Sequence, residues 1–257
     1  MNINLENTLA LAVAWAKEVG EIQYSYFRSG YLELETKSTV HDVVTKVDKL
    51  SESMLIERIG KCFPDHSVLG EESGEHDAHS DYLWVVDPLD GTNNYSQGLP
   101  VFCVSIGLQY RGETLLGVVY APYLNELYTA IRGKGAFLNN APIHVSDKTE
   151  LDRSVLATGF PYDKGIHPVN NIDNLSRILP HLRGIRRMGS AAYDLCGVAA
   201  GFLDGYWELG LKLWDVCAGV LIVQEAGGHV EPFREDRGIA ILAGNAGIVE
   251  KMKEYIS

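Results

Sequence analysis

Apolar positions in the first part of the chain fall at helical spacing. Leu5, Leu9, Ala12, Ala16 and Val19 recur at three- or four-residue steps, which predicts an amphipathic helix over residues 5–28. Val47, Leu50, Met54 and Leu55 make a second stripe over residues 44–61, and Phe63-Pro64-Asp65 ends it. Short apolar runs follow: Ser67-Val68-Leu69, Tyr82-Leu83-Trp84-Val85-Val86, and residues 101–110, 114–120 and 126–131. Arg111-Gly112-Glu113 between two of them is a hairpin signal. The first half therefore reads as two helices and then a meander of antiparallel strands.

The second half alternates. Residues 154–158, 206–209 and 238–243 read as strands. Helices are expected over 171–182, ended near Gly184, over the alanine-rich 190–202, over 213–226 and over 248–255. Gly227-Gly228 caps the third of these. There is no internal repeat, low-complexity tract or long linker. The change of pattern near 141–153 divides the chain into lobes at 1–150 and 151–257, joined as one unit.

With 257 residues, 46% hydrophobic and 22% charged, the chain has enough apolar side chains for a large core, which excludes a disordered or disulfide-stapled class. A net charge of −12 argues against a nucleic-acid partner held by a general basic surface. An anionic substrate stays open if metal ions invert the local field. Cys62, Cys103, Cys196 and Cys217 form no CxxC pair, and three of them sit in apolar runs. They read as reduced thiols, with zinc or redox chemistry as the alternative. The first six residues lack the basic and apolar pattern of a signal peptide, and no apolar run approaches the ~20 residues that span a bilayer. A soluble, cytoplasmic protein is expected.

The densest chemistry lies in Trp84-Val85-Val86-Asp87-Pro88-Leu89-Asp90-Gly91-Thr92. An apolar strand runs into Asp87, and Pro88 pre-sets a first helical turn. Such a turn points Asp87 and Asp90 at one spot. Gly91 and Thr92 then offer N–H groups at a helix start, where a phosphate is favoured. Carboxylates beside amide donors suit Mg²⁺ and phosphate together; an Asp-Pro turn with a helix cap accounts for the spacing equally well. Gly70-Glu71-Glu72 follows an apolar run and alone reads as a solvated loop. Trp214-Asp215 opens an apolar helix, and alone the acid reads as a cap or dipole partner. Together the three resemble one oxygen-lined metal site.

Those motifs, with Glu225-Ala226-Gly227-Gly228, resemble the defining motifs of the inositol monophosphatase family, in order from Lys37 to Gly228. The resemblance implies a layered α-β-α-β-α sandwich of the inositol monophosphatase and fructose-1,6-bisphosphatase type. It also implies two or three Mg²⁺ ions per active site, lithium sensitivity and a homodimer. Glu71, Asp87, Asp90 and Asp215 match the metal-binding carboxylates, and the Leu89 carbonyl matches a further ligand. Most of these ligands lie in the first lobe. Gly91 and Thr92 match the phosphate-binding amides. Asp48 matches the acid that pairs with that threonine to help activate water, and the resemblance implies that Glu71 shares in the catalysis. Lys37 falls in the matching upstream segment, and Asp42 to Asp48 resembles the family's Asp-rich segment. Gly189-Ser190-Ala191 resembles the substrate-side turn, and Glu208 matches the acid that accepts from inositol hydroxyls. Thr158-Gly159-Phe160-Pro161-Tyr162 resembles the bacterial branch.

Two Mg²⁺ ions acting on a phosphomonoester need no Cys, Ser or His nucleophile. Inositol 1-phosphate is the expected substrate because Glu208 suits a polyol. Fructose 1,6-bisphosphate, histidinol phosphate and a nucleoside 3′,5′-bisphosphate share the same chemistry. A different class, a protein associated with RNA polymerase or ribosome assembly, would rest on Arg183, Arg186 and Arg187. Four further readings are structural: His41 on the surface rather than a base, Arg186-Arg187 in a solvated turn rather than receiving an anion or a partner, Trp84 and Trp207 in the core, and residues 74–81 as a polar loop over the site rather than a metal-collecting one.

Overall fold

Asn4 opens the first helix, α1 (Leu5–Tyr26), its side chain accepting the Asn7 N–H at 3.0 Å. The structure, a computed structural model, describes residues 3–30, 32–36 and 43–257, so Lys37, His41 and Asp42 lie outside the described residues. Strands β1 (Leu34–Thr36) and β2 (Val43–Thr45) pair antiparallel. Thr45 then starts α2 (Lys46–Cys62) through a capping box closed by Asp48.

Eight strands follow as one sheet. They are β3 (Ser67–Gly70), β4 (Gly74–His76), β5 (Tyr82–Asp90), β6 (Cys103–Tyr110), β7 (Glu113–Ala121), β8 (Glu126–Ile131), β9 (Ala136–Leu138) and β10 (Ala141–Pro142). The short helix α3 (Thr92–Ser96) sits between β5 and β6. The spatial order is β10-β9-β8-β7-β6-β5-β3-β4, antiparallel throughout except for the β3–β5 pair. Arg111-Gly112 makes the expected hairpin between β6 and β7, both residues at positive φ.

The second half adds β11 (Val155–Thr158), α4 (Ile172–Ile178), β12 (Gly184–Arg186), α5 (Ala191–Ala199), β13 (Gly205–Leu211), α6 (Leu213–Glu225), β14 (His229–Pro232), β15 (Ile239–Gly244) and α7 (Ala246–Met252). Its strands form a second sheet in the order β12-β11-β13-β15-β14.

Alternation along the strands builds the layers. On the large sheet, Trp84, Val86, Ile106 and Val118 face Trp15, Ala16, Val19, Leu55 and Ile59 of α1 and α2. The opposite face meets α5 and α6 through Cys103, Val119, Tyr128, Leu195 and Ile222. The small sheet presents Ala157, Tyr206 and Ile241 to those same central helices. Its alternate residues Leu156, Trp207 and Leu242 pack under α4 and α7. The result is the α-β-α-β-α sandwich. Close approach of α6 depends on Gly117 of β7, where a Cβ would come within 2.9 Å of the Ala218 carbonyl oxygen. Trp84 and Trp207 are fully buried, as expected of core aromatics. Among the described residues no helix is long and apolar enough to cross a membrane.

Several elements differ from the sequence reading. Pro88 does not open a helix, and β5 continues through it to Asp90. The helix expected over 171–182 ends at Ile178 and tightens into a 3₁₀ turn, Leu179–His181, where Pro180 removes a donor. Gly184 starts a strand rather than stopping that helix. The alanine-rich helix stops at Ala199 because Gly201, at φ 70°, takes the left-handed position, and the Phe202 N–H returns to the Gly197 carbonyl. Residues 74–81 do not cover the site. Gly74 pairs with Gly70 and His76 with Val68, so β4 runs back along β3 away from Glu71.

Candidate active site

The route from β5 into α3 explains how two acids reach one place. In a regular strand, residues three apart face opposite sides. Asp87 pairs with Ser105 but Asp90 pairs with Cys103, three steps on β5 against two on β6. That bulge adds the residue that returns both carboxylates to one side. Asp87 Oδ1 accepts the Leu89 N–H at 3.0 Å, which fixes the kink from within. Gly91, at φ 99°, then turns the chain into α3; a Cβ there would come within 3.0 Å of the Val101 carbonyl oxygen.

Other segments complete a cleft of about 380 Å³. Glu71 enters from the end of β3, Ser190 and Ala191 from the start of α5, Glu208 from β13 and Asp215 from the first turn of α6. Leu89, Gly91 and Thr92 line it as well. Thus every described candidate except Asp48 faces the cleft, and Asp48 stands behind Thr92, accepting its hydroxyl at 2.9 Å. Lys37 lies outside the described residues. Asp48 also accepts the Thr45 hydroxyl at 2.5 Å and the Thr45 N–H at 2.8 Å. Burial raises its pKa, and those hydrogen bonds pull it back.

The carboxylates are held by backbone and hydroxyl donors. Asp90 Oδ2 accepts the Ser190 hydroxyl at 2.8 Å and the Ala192 N–H at 2.7 Å. The Ser190 side chain is therefore committed to Asp90, and it also caps α5. Asp215 Oδ2 accepts the Lys212 N–H at 2.7 Å. Burial, then the charges of Glu71, Asp90 and Asp215, push Asp87 well above the usual carboxylate range. Burial and the Asp90 charge do the same to Asp215. Burial takes Asp90 to about 6 against the pull of its donors. Acids that raise one another in this way call for positive charge between them.

Oxygen-only donors fit a hard cation such as Mg²⁺. Among the described residues no three His, Cys, Asp or Glu side chains already close into a metal-binding cluster. An open acidic cleft still suits Mg²⁺, which keeps several waters and shares few carboxylates with a substrate phosphate. The thiols play no such part. Cys103, Cys196 and Cys217 are buried and all are pushed up by burial, Cys217 to about 11.

Sequence reasoning passed over several residues. Arg187, set aside as part of a solvated turn over its alternative as an anion contact, is exposed and also lines the cleft, and its charge draws down both Glu208 and Asp194. Asp194 is a cleft acid raised first by burial and then by Glu208, carried by the otherwise apolar α5. Glu52 lies on the buried side of α2 and accepts the Glu72 and Ser73 N–H groups at 2.9 and 2.8 Å. Its signal was an acid in step with Asp48, Leu55 and Ile59 on the apolar stripe. A Cβ on Gly70 would overlap the Glu52 carboxylate, which accounts for a glycine just before Glu71. Glu52→Ala is expected to lower stability by about 1–3 kcal/mol, since two part-buried N–H groups lose a charged acceptor. Thermal or urea unfolding measures this; a loss under about 0.5 kcal/mol would show that the turn finds other partners.

Comparison with known proteins adds to this geometry. The profile of the inositol monophosphatase family matches residues 4–255. A Pasteurella multocida protein named Nus factor SuhB is 47% identical over 227 residues, 88% of this chain and 85% of that protein. A Synechocystis inositol-1-monophosphatase is 44% identical over 202 residues, 78% of this chain and 70% of that protein. The structure of an inositol monophosphatase from Anabaena superposes with a TM-score of 0.87 at 41% identity, covering 98% of this chain and 96% of that one.

Proposed function

The chain belongs to the inositol monophosphatase family, and on that premise we propose that it is a Mg²⁺-dependent phosphomonoesterase acting on inositol 1-phosphate. The observation that carries this reading is the meeting of Glu71, Asp87, Asp90 and Asp215, from three distant segments, along one cleft beside the Thr92–Asp48 pair. Glu71, Asp87, Asp90, Asp215 and the Leu89 carbonyl would hold the cations. Bound Mg²⁺ supplies positive charge for the phosphate oxygens and for the departing oxygen.

The chain's own groups do the rest. Thr92 has one hydroxyl proton, directed at Asp48 Oδ1 and the Leu89 carbonyl, which leaves lone pairs on Oγ1 to accept from a water. As that water passes a proton to Thr92 Oγ1, Thr92 passes its own hydroxyl proton to Asp48 Oδ1, where it rests. Gly91 and Thr92 line the cleft where α3 begins, and their N–H groups would meet the phosphate there. Ser190 and Ala192 hold Asp90 in place.

Glu208 defines the other side. Burial raises it to about 7 while the Tyr206 hydroxyl, donating to Oε2 at 2.6 Å, pulls it down. The Arg187 charge lowers it as well, and cations held in the cleft would favour the ionised form that accepts from substrate hydroxyls. Glu208→Gln keeps the shape and weakens charge-assisted acceptance. It is expected to raise KM for inositol 1-phosphate about tenfold with kcat changed less, the pattern of lost uniform binding. Nitrophenyl phosphate, which has no polyol, should respond little. Equal losses on both substrates would remove the polyol reading and leave only the phosphatase.

The homodimeric state implied by the resemblance and the cytoplasmic location expected from the sequence belong to the same proposal. The Nus factor name of relatives such as the Pasteurella protein favours a second reading, a transcription-associated partner alongside catalysis. Arg183, Arg186 and Arg187 are all exposed and available for it, and Arg187 also lines the cleft.

A further inference from the structure

Glu208 lies in the cleft, yet part of its support comes from a polar network on the far side of β13, under α4. At the centre of that network is Asn171, 3% exposed, just before α4. Its amide uses its full capacity. Nδ2 donates to Thr158 Oγ1 at 2.9 Å and to the Gly159 carbonyl at 2.7 Å. Oδ1 accepts the Trp207 indole N–H at 2.8 Å and the Asn174 side-chain amide at 3.1 Å. Thr158 passes the chain of bonds on, donating its hydroxyl to the Trp207 carbonyl at 2.8 Å. That carbonyl belongs to the peptide unit joining Trp207 to Glu208. Asn171 therefore grips Trp207 at both its ring and, through Thr158, its backbone.

The second grip is on Gly159. A Cβ at Gly159 would overlap the Glu208 carboxylate, so this backbone forms the wall against which the acid rests. The Tyr206 hydroxyl restrains Oε2 from its own strand. The carboxylate is thus fixed by a wall, a hydroxyl and a peptide unit, and Asn171 bonds directly to the wall and through Thr158 to the peptide. A buried network with every member satisfied is rigid, and removing its centre frees several groups at once.

We propose that Asn171 is a positioning residue for substrate selectivity, holding Gly159 and the Trp207–Glu208 peptide so that Glu208 meets the hydroxyls of a polyol phosphate. This rests on the reading of Glu208 given above. Asn171 touches no substrate and acts through the backbone on either side of the acid. Its φ of 72° lies in the left-handed region, which asparagine tolerates and glycine adopts without strain.

Asn171→Gly is for that reason the variant of choice, since it removes the amide without forcing the backbone. It is expected to raise KM for inositol 1-phosphate about fivefold, with kcat and the nitrophenyl phosphate rate each changed less than about twofold. The double variant Asn171→Gly/Glu208→Gln should then lose no more on inositol 1-phosphate than Glu208→Gln alone. Equal losses on the two substrates, or losses that multiply in the double variant, would overturn the proposal. If Glu208→Gln alone shows no selective loss, the Glu208 reading fails by itself. A selective loss from Asn171→Gly in that case would show action through another group and would also overturn the proposal. If Asn171→Gly does not fold, Thr158→Val decides. It nearly keeps the volume and removes the one hydroxyl that accepts from Asn171 and donates to the Trp207 carbonyl, so it should give the same KM selectivity, and an absence of selectivity would refute the proposal.

Discussion

Replacing Asp87 with asparagine is expected to lower kcat at saturating Mg²⁺ by more than about a hundredfold, or roughly 3 kcal/mol of barrier. Asp87 is 1% exposed at the bulge of β5, and the charges of Glu71, Asp90 and Asp215 act on it together. The amide keeps the size and can still accept the Leu89 N–H, so the kink survives while a charge for the cations is lost. In chelator the same change removes repulsion from a crowded acidic cleft. The melting temperature should therefore hold or rise even as turnover collapses. That divergence separates a lost ligand from a lost fold. A variant retaining more than about a tenth of the wild-type rate would remove Asp87 from the proposed role.

Stripping divalent cations is expected to abolish turnover, and Mg²⁺ to restore it. Ca²⁺ should occupy the acids without restoring the rate, because its longer and looser coordination does not hold reacting oxygens in line. A readout independent of activity follows from the same electrostatics. Cations that bind the folded cleft and not the unfolded chain raise its stability, by about 2.7 kcal/mol at a hundred times the dissociation constant. Mg²⁺ should therefore raise the melting temperature of the native chain and do so much less in Asp87→Asn. Substantial activity in chelator-treated protein, or a melting curve indifferent to Mg²⁺, would defeat the metal reading.

Candidate-site legibility followed from how local each cause was. Asp87, Asp90, Gly91 and Thr92 stood out because a strand end, a proline and a glycine lie within a few residues of the acids. Arg187 had no such cue: an Arg-Arg pair in a turn carries the same pattern whether it faces solvent or a cleft. Glu52 and Asp194 were hidden differently, as acids on the buried faces of helices whose purpose is set by partners on other elements. Ser190 was legible as a member of the site, but its commitment to Asp90, a hundred residues away in sequence, was not.

By itself the sequence determined what short-range physics decides. Apolar periods of two or about 3.6 residues, helix caps at Asn4 and Thr45, and the Arg111-Gly112 hairpin set most elements, and the four acids, each ambiguous alone, read as a metal site only together and through the family resemblance. Tertiary structure decided what depends on pairing between distant segments. The register of β5 on β6, not a helical turn, aligned Asp87 with Asp90. Pairing with β3 sent residues 74–76 away from the site. The parallel neighbours β11 and β13 brought Thr158 and Gly159 to Trp207 and Glu208, so that Asn171 could bind them. A backbone preference acts over a few residues and carries no record of which strand will lie beside it. Hydrogen-bond register and shared burial act only once the strands meet, and in this protein they aim the side chains.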